Sequence, residues 1–144
     1  MIRQANKYDI NKIIDLIKDF AIQSDNPMAH NPLKWSKNHV AQVVASILAG
    51  QGFILIDEAQ TGILIAVKVP CLWCPDTYQL QEILMHSRSK ILLARLIKEY
   101  VRIADCMLYD DEISEAIIGS YGNTNLEKFG MIKTQNLWRI NNDR

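Results

Sequence analysis

The chain has 144 residues, the size of one ordinary domain, and 49% of them are hydrophobic, which excludes a disordered polymer. Lys and Arg number 16 against 16 Asp and Glu, so no basic block stands ready to hold nucleic acid. No apolar run approaches the roughly 18 residues of a membrane span, the polar first residues lack a signal-peptide core, and three cysteines make no disulfide framework; a cytoplasmic protein with reduced thiols is expected.

Residues 2–5 read as a short strand. Asp9 then reads as a helix N-cap, because its carboxylate can accept amides of the first turn. Ile10, Ile13, Ile14, Ile17 and Phe20 recur at three and four, the spacing of a helix with one buried stripe. Pro27, Pro32 and several Asn and Ser make residues 23–37 a loop. Val40, Val43, Val44, Ile47 and Leu48 restore helical spacing, and Gly50 and Gly52 end that helix.

Residues 53–56 and 63–69 are two apolar strands around a turn at 57–62, a hairpin signal. A loop at 70–76 leads to a third, largely buried strand over 78–85. Ile91, Leu92, Ala94, Leu96, Ile97, Tyr100, Val101 and Ile103 mark a long amphipathic helix. A short strand over 116–119, one or two helical turns over 123–129 ending at Gly130, and a last strand over 131–140 complete the chain. This order predicts an α/β fold, a mixed central sheet flanked by helices, in a single domain over residues 1–144. The unit from residue 78 to 119 allows a parallel strand pair with a right-handed crossover.

Three segments in this order resemble the GNAT (acyl-CoA N-acyltransferase) superfamily over nearly the whole chain. Ile2, Arg3, Gln4 and Ala5 followed by Asp9 look like its first strand and helix. Residues 53–66 look like its central hairpin. Asn125, Leu126, Glu127, Lys128, Phe129, Gly130 and Met131, followed by Trp138, resemble its C-terminal signature. In style the chain is most similar to small acetyltransferase-like proteins of tailed bacteriophages, some of which are virion components; a phage origin would place it in the host cytoplasm.

The resemblance implies acetyl-CoA as co-substrate and an amine acceptor, either a small molecule or a protein. It also implies a cofactor site at the start of the long helix. There the family places an Arg or Gln and then two small residues, so that backbone amides and the helix dipole reach a pyrophosphate. Arg88, Ser89, Lys90, Ile91, Leu92 and Leu93 fall on that position, with Arg88 matching the leading residue and Ile91 and Leu93 in both glycine places. Ile83, Leu84 and Met85 would lie on the backbone that pairs with the pantetheine arm. Glu82, on the strand before the cofactor loop, takes the place of the family's catalytic base, since a carboxylate among apolar neighbours has a raised pKa. The family's usual acid is a tyrosine where this chain has Leu126, and Tyr121 is a distant substitute. A second reading follows from Ile91, Leu93 and Leu126: a catalytically inactive GNAT-like binding or structural module acting through a protein partner. Such domains are often homodimers.

Three other features stand outside that resemblance. Cys71 and Cys74 form a C-x-x-C in a loop, short of the four ligands of a zinc site and followed by Pro75 and Asp76 rather than by the helix start that stabilises a redox thiolate, so neither a metal nor a redox role is expected; a metal-binding module is the weaker alternative. His86 ends the third strand and reads as solvent-facing. Trp35 and Trp73 sit in loops, as core lids or as partner contacts.

Overall fold

The computed structural model describes residues 1–23, 35–119 and 126–133. Strand β1 (Ile2–Gln4) leads through a 3₁₀ turn (Lys7–Asp9) into α1 (Ile10–Gln23). Helix α2 (Lys37–Ser46) ends in a π-turn (Ile47–Gln51), and the chain then runs through β2 (Gly52–Asp57), β3 (Gly62–Pro70) and β4 (Tyr78–Ser87). Helix α3 (Lys90–Tyr109) crosses to β5 (Glu115–Ile117), and a 3₁₀ turn (Glu127–Phe129) follows.

The sheet order is β1-β2-β3-β4-β5, antiparallel except for the parallel pair β4–β5. That parallel pair follows from the length of the connection, since α3 carries the chain back before β5 begins. Strands β2 and β3 lie at the centre and are covered on both faces, which is why each reads as an unbroken apolar run. Their side chains alternate. Phe53, Leu55, Leu64 and Ala66 pack with Leu96, Tyr100 and Ile103 of α3. Ile54, Ile56, Ile63 and Ile65 pack with Ile13 and Leu16 of α1 and with Val44 and Ile47 beside them.

The helix start differs from the sequence expectation. Asn6, not Asp9, is the cap: it is extended, and its side chain accepts the Tyr8 amide at 2.9 Å. Asp9 closes the reciprocal half of a capping box by accepting the Asn6 amide at 2.9 Å. The carboxylate is buried and receives both arms of Arg3, at 2.8 and 2.9 Å, and Gln60 at 3.2 Å. The Arg3 hydrogen bonds are the main reason its pKa falls to about 2, against the opposing effect of burial.

Two glycines mark close approaches. A Cβ on Gly52 would run into the Ala66 carbonyl oxygen of β3. A Cβ on Gly62 would meet Leu92 of α3 at 2.8 Å, so α3 sits directly on the hairpin turn. Asp57 locks that turn by accepting the Thr61 amide and hydroxyl at 2.7 and 2.8 Å and the Gly62 amide at 2.9 Å.

The third strand is less buried than its sequence suggests. Along β4 only Leu80 and His86 are buried, because one of its edges meets β5 over just three residues. Near the C-terminus the helical signal is realised as the 3₁₀ turn, closed by Gly130 in the left-handed region at φ 81°. Residues 131–133 are irregular rather than strand. The rest of the expected last strand, Trp138, Tyr121, Asn125 and most of the 23–37 loop lie outside the described residues.

Candidate functional site

The site is built where β4 and β5 part. They pair at Gln79–Glu115, Leu80–Ala116 and Gln81–Ile117. Beyond Gln81, β4 runs on to Ser87 while β5 ends at Ile117, so the β5-side edge of residues 82–87 has no strand partner among the described residues.

A bulge interrupts β4 at the same place. Ala66 pairs with Glu82, but the next residue of β3 back along the ladder, Ile65, pairs with Leu84. Ile83 is therefore the extra residue, and it is 51% exposed. An inserted residue reverses the facing of everything after it. Before the bulge, Leu80 faces α3; after it, Met85 packs on the α3 side and Leu84 on the α1 side. Glu82 and His86 have the same parity in sequence, yet they lie on opposite faces of the sheet.

Glu82 is half-buried on the α3 side. Burial raises its pKa to about 7, and the Gly119 amide donating to its carboxylate partly offsets the rise. Tyr100 of α3 lies beside it, fully buried, and donates its hydroxyl to the Ile117 carbonyl at 2.8 Å, within 3.4 Å of the Leu80 carbonyl. Burial pushes the Tyr100 phenol up, and the Glu82 charge adds to the effect. Tyr100 thus takes the carbonyl of the last paired residue in β5, at the point where the ladder ends. The sequence analysis read Tyr100 only as part of the buried helix stripe. Its polar role was invisible because nothing in a helical repeat distinguishes a tyrosine packed on a sheet from one that caps a strand.

His86 is a correction. It is buried, 7% exposed, not solvent-facing. The bulge turns it toward α1, where its Nε2 meets Asp19 Oδ2 at 2.9 Å and its ring meets Phe20 edge-on at 6.0 Å. Arg88 joins the same carboxylate, with Nη2 donating to Asp19 Oδ1 at 3.0 Å. The His86 hydrogen bond leads the causes that lower the Asp19 pKa, with burial opposing and Arg88 adding. Arg88 is thereby tethered to α1 while its side chain stays 73% exposed.

The start of α3 follows from Ser87 and Ser89. Ser89 is the N-cap, its Oγ accepting the Leu92 amide at 3.2 Å and its carbonyl the Leu93 amide at 3.0 Å. Its own amide donates to Ser87 Oγ at 3.0 Å. Lys90 and Ile91 open the helix, and first-turn amides have no partner inside a helix. Ile91 is 69% exposed, Leu93 is half-buried, and Leu92 is turned inward onto Gly62. Of the nine residues singled out for a cofactor, Ile83, Leu84 and Met85 lie on the open β4 segment. Arg88, Ser89, Lys90 and Ile91 ring the helix start, Leu92 packs toward the body of the molecule, and Leu93 is half-buried.

No family model and no curated protein matches the sequence. Solved structures do. A GNAT family acetyltransferase of Staphylococcus aureus superposes with a TM-score of 0.63 at 16% identity, covering 98% of this chain and 97% of that one. The chain has the GNAT fold. A predicted acetyltransferase of Clostridium acetobutylicum, solved with acetyl-CoA, gives a TM-score of 0.69 at 12% identity over 98% of this chain and 95% of the other. Glucosamine-6-phosphate N-acetyltransferase of Arabidopsis thaliana gives 0.67 at 12% identity over 99% and 98%. Within this GNAT fold the opened β4 edge, Glu82 and the capped start of α3 occupy one continuous stretch of chain from residue 82 to 93. No helix among the described residues is long and apolar enough to cross a membrane.

Proposed function

We propose that the protein transfers an acetyl group from acetyl-CoA to an amine. The observation that carries this reading is Glu82, a half-buried carboxylate with a pKa raised to about 7, placed where β4 separates from β5. A base of that strength can take a proton at neutral pH and release it again.

The open edge of Ile83, Leu84 and Met85 offers backbone groups to an extended amide-bearing arm, as an added strand would pair. Arg88 brings a guanidinium, and the amides of Lys90 and Ile91 bring the helix start to a pyrophosphate. The acceptor nitrogen attacks the thioester carbonyl carbon, and Glu82 receives the ammonium proton directly or through one water. The tetrahedral oxyanion is held by backbone donors at the bulge, the C–S bond breaks, and the thiolate leaves to be protonated. The acceptor is a small amine or a protein amine.

The side chains of Ile91 and Leu93 favour a second reading, in which the fold serves as a binding module. Each stands where a small residue would let a pyrophosphate approach the amides. Calorimetric titration with acetyl-CoA, repeated on Arg88→Ala, separates the two. Micromolar binding that weakens at least about tenfold in the variant supports the transferase. Absence of binding at millimolar acetyl-CoA supports the module.

A further inference from the structure

The Tyr100 hydroxyl has no part in the chemistry assigned to Glu82, yet it sits where the two strands of the site part. The β4–β5 ladder is three pairs long, and β5 is the outermost strand of the sheet among the described residues. A strand held by so few rungs, on one side only, frays unless its ends are tied. The end away from the site is tied twice. The Ser114 amide donates to the Tyr78 carbonyl at 2.8 Å, and the Gln79 side-chain amide donates to Glu115 Oε1 at 2.7 Å.

The end at the site is tied by Tyr100. Its hydroxyl has one proton to give and gives it to the carbonyl of Ile117, the last residue of β5, at 2.8 Å. The Leu80 carbonyl of β4 lies 3.4 Å from the same oxygen. One oxygen of α3 therefore meets a backbone carbonyl of each strand at the end of their pairing, where Gln81–Ile117 is the last rung. The ring cannot swing away. Tyr100 is fully buried, its ring centroid lies 6.2 Å from that of Phe53, and it shares the core with Leu96 and Ile103. The residue of β4 that follows this rung is Glu82, and the bulged Ile83 comes next.

Where the ladder stops matters for acyl transfer. An extended arm lying along residues 83–85 runs up against the last rung, so that rung fixes how near a thioester comes to Glu82. A displacement of about 1 Å can cost a reaction about a hundredfold in rate.

We propose that Tyr100 is a positioning residue for acyl transfer: its hydroxyl fastens the end of β5 beside β4 and so sets the depth at which an acyl thioester sits against Glu82. The proposal rests on the transferase reading given above. Tyr100 is sealed from solvent and its proton is committed to Ile117, so it acts through the backbone and not on the substrate.

The test compares the full chain with Tyr100→Phe, which keeps the ring against Phe53 and removes only the hydroxyl; circular dichroism confirms the fold. Amide hydrogen exchange in the segment 115–119 should quicken at least about tenfold, while β2 and β3 stay unchanged. Acetyl-CoA carrying 13C at the thioester carbonyl is the probe of position. Its affinity should change by less than about threefold, since Arg88 and the start of α3 are untouched. Its carbonyl resonance, displaced from the free value when bound to the parent, should move at least halfway back toward free in the variant. A merely structural tyrosine would leave that resonance where it is. Unchanged exchange, or an unchanged carbonyl resonance, overturns the proposal while the parent's binding keeps the transferase reading intact. A parent that does not bind acetyl-CoA overturns both. If Tyr100→Phe does not fold, the parent decides: the slowly exchanging Tyr100 hydroxyl proton should shift in the proton spectrum on adding acetyl-CoA, and a resonance that does not move overturns the proposal.

Discussion

Asp19 and His86 are 67 residues apart in sequence, and their side chains meet at 2.9 Å. The contact ties the end of α1 to the end of β4, and Arg88 shares the same carboxylate. Asp19→Ala leaves the buried His86 ring nitrogen without its partner. A stranded buried polar group costs about 1–3 kcal/mol. Urea denaturation should show a loss in that range, smaller in Asp19→Asn, which can still hydrogen-bond. A loss below about 0.5 kcal/mol would mean that water replaces the carboxylate without cost.

Glu82 makes stability depend on pH in the direction opposite to most carboxylates. Its folded pKa of about 7 lies above its ordinary value of 4.5. Between those values the folded state binds more protons than the unfolded state, so stability falls as pH rises. Below 4.5 the group is protonated in both states and contributes nothing to the difference. Glu82→Gln should therefore match the parent near pH 4 and exceed it above pH 8. With the carboxylate partly in contact with water, the gain is about 2 kcal/mol. The same variant should lose acetyl transfer at least about a hundredfold, since a general base supplies that much. Melting temperatures of the two proteins at pH 4 and pH 8.5 decide the first point, independently of any activity.

The unbroken apolar runs of β2 and β3 on either side of a turn made the sheet legible. Ile54, Ile56, Ile63 and Ile65 on one face and Phe53, Leu55, Leu64 and Ala66 on the other follow the strand period, and α1 and α3 follow the helical one. The site was legible only in part. Glu82 stood out as a lone acid in an apolar strand, and Arg88 as the leading residue before a helix. The bulge at Ile83 leaves no signature in composition, so the side of the sheet on which His86 lies could not be read from parity. The partnership of Asp19 with His86 needed the third dimension. Asp9 was identified as a capping residue but assigned the wrong half of the box, because Asn6 and Asp9 are both good N-cap residues and spacing alone does not rank them.

Ile91 tests the helix start. It is the second residue of α3 and 69% exposed, so its side chain contributes little to the core. Ile91→Gly should cost only about 0.5 kcal/mol in helix propensity. It should also let an anionic ligand approach the first-turn amides. Acetyl-CoA affinity is expected to rise about fivefold or more, as a gain near 1 kcal/mol implies. Calorimetry on both proteins measures it, and equal or weaker affinity in the variant would place the pyrophosphate elsewhere.

Asp9 governs the acid limb. Its pKa is about 2 in the folded chain against an ordinary 3.8, held down first by Arg3. A depressed carboxylate contributes stability above its unfolded pKa and loses it as pH falls through the folded one. The window is therefore pH 4 down to pH 2, and the shift corresponds to about 2 kcal/mol. Asp9→Asn keeps the shape and the capping acceptor but removes the charge that Arg3 grips. It should be less stable than the parent by about 2 kcal/mol at pH 7 and nearly equal to it at pH 2. Urea midpoints at the two pH values give the comparison. A deficit that persists unchanged at pH 2 would show that the asparagine has broken the capping geometry rather than the ion pair.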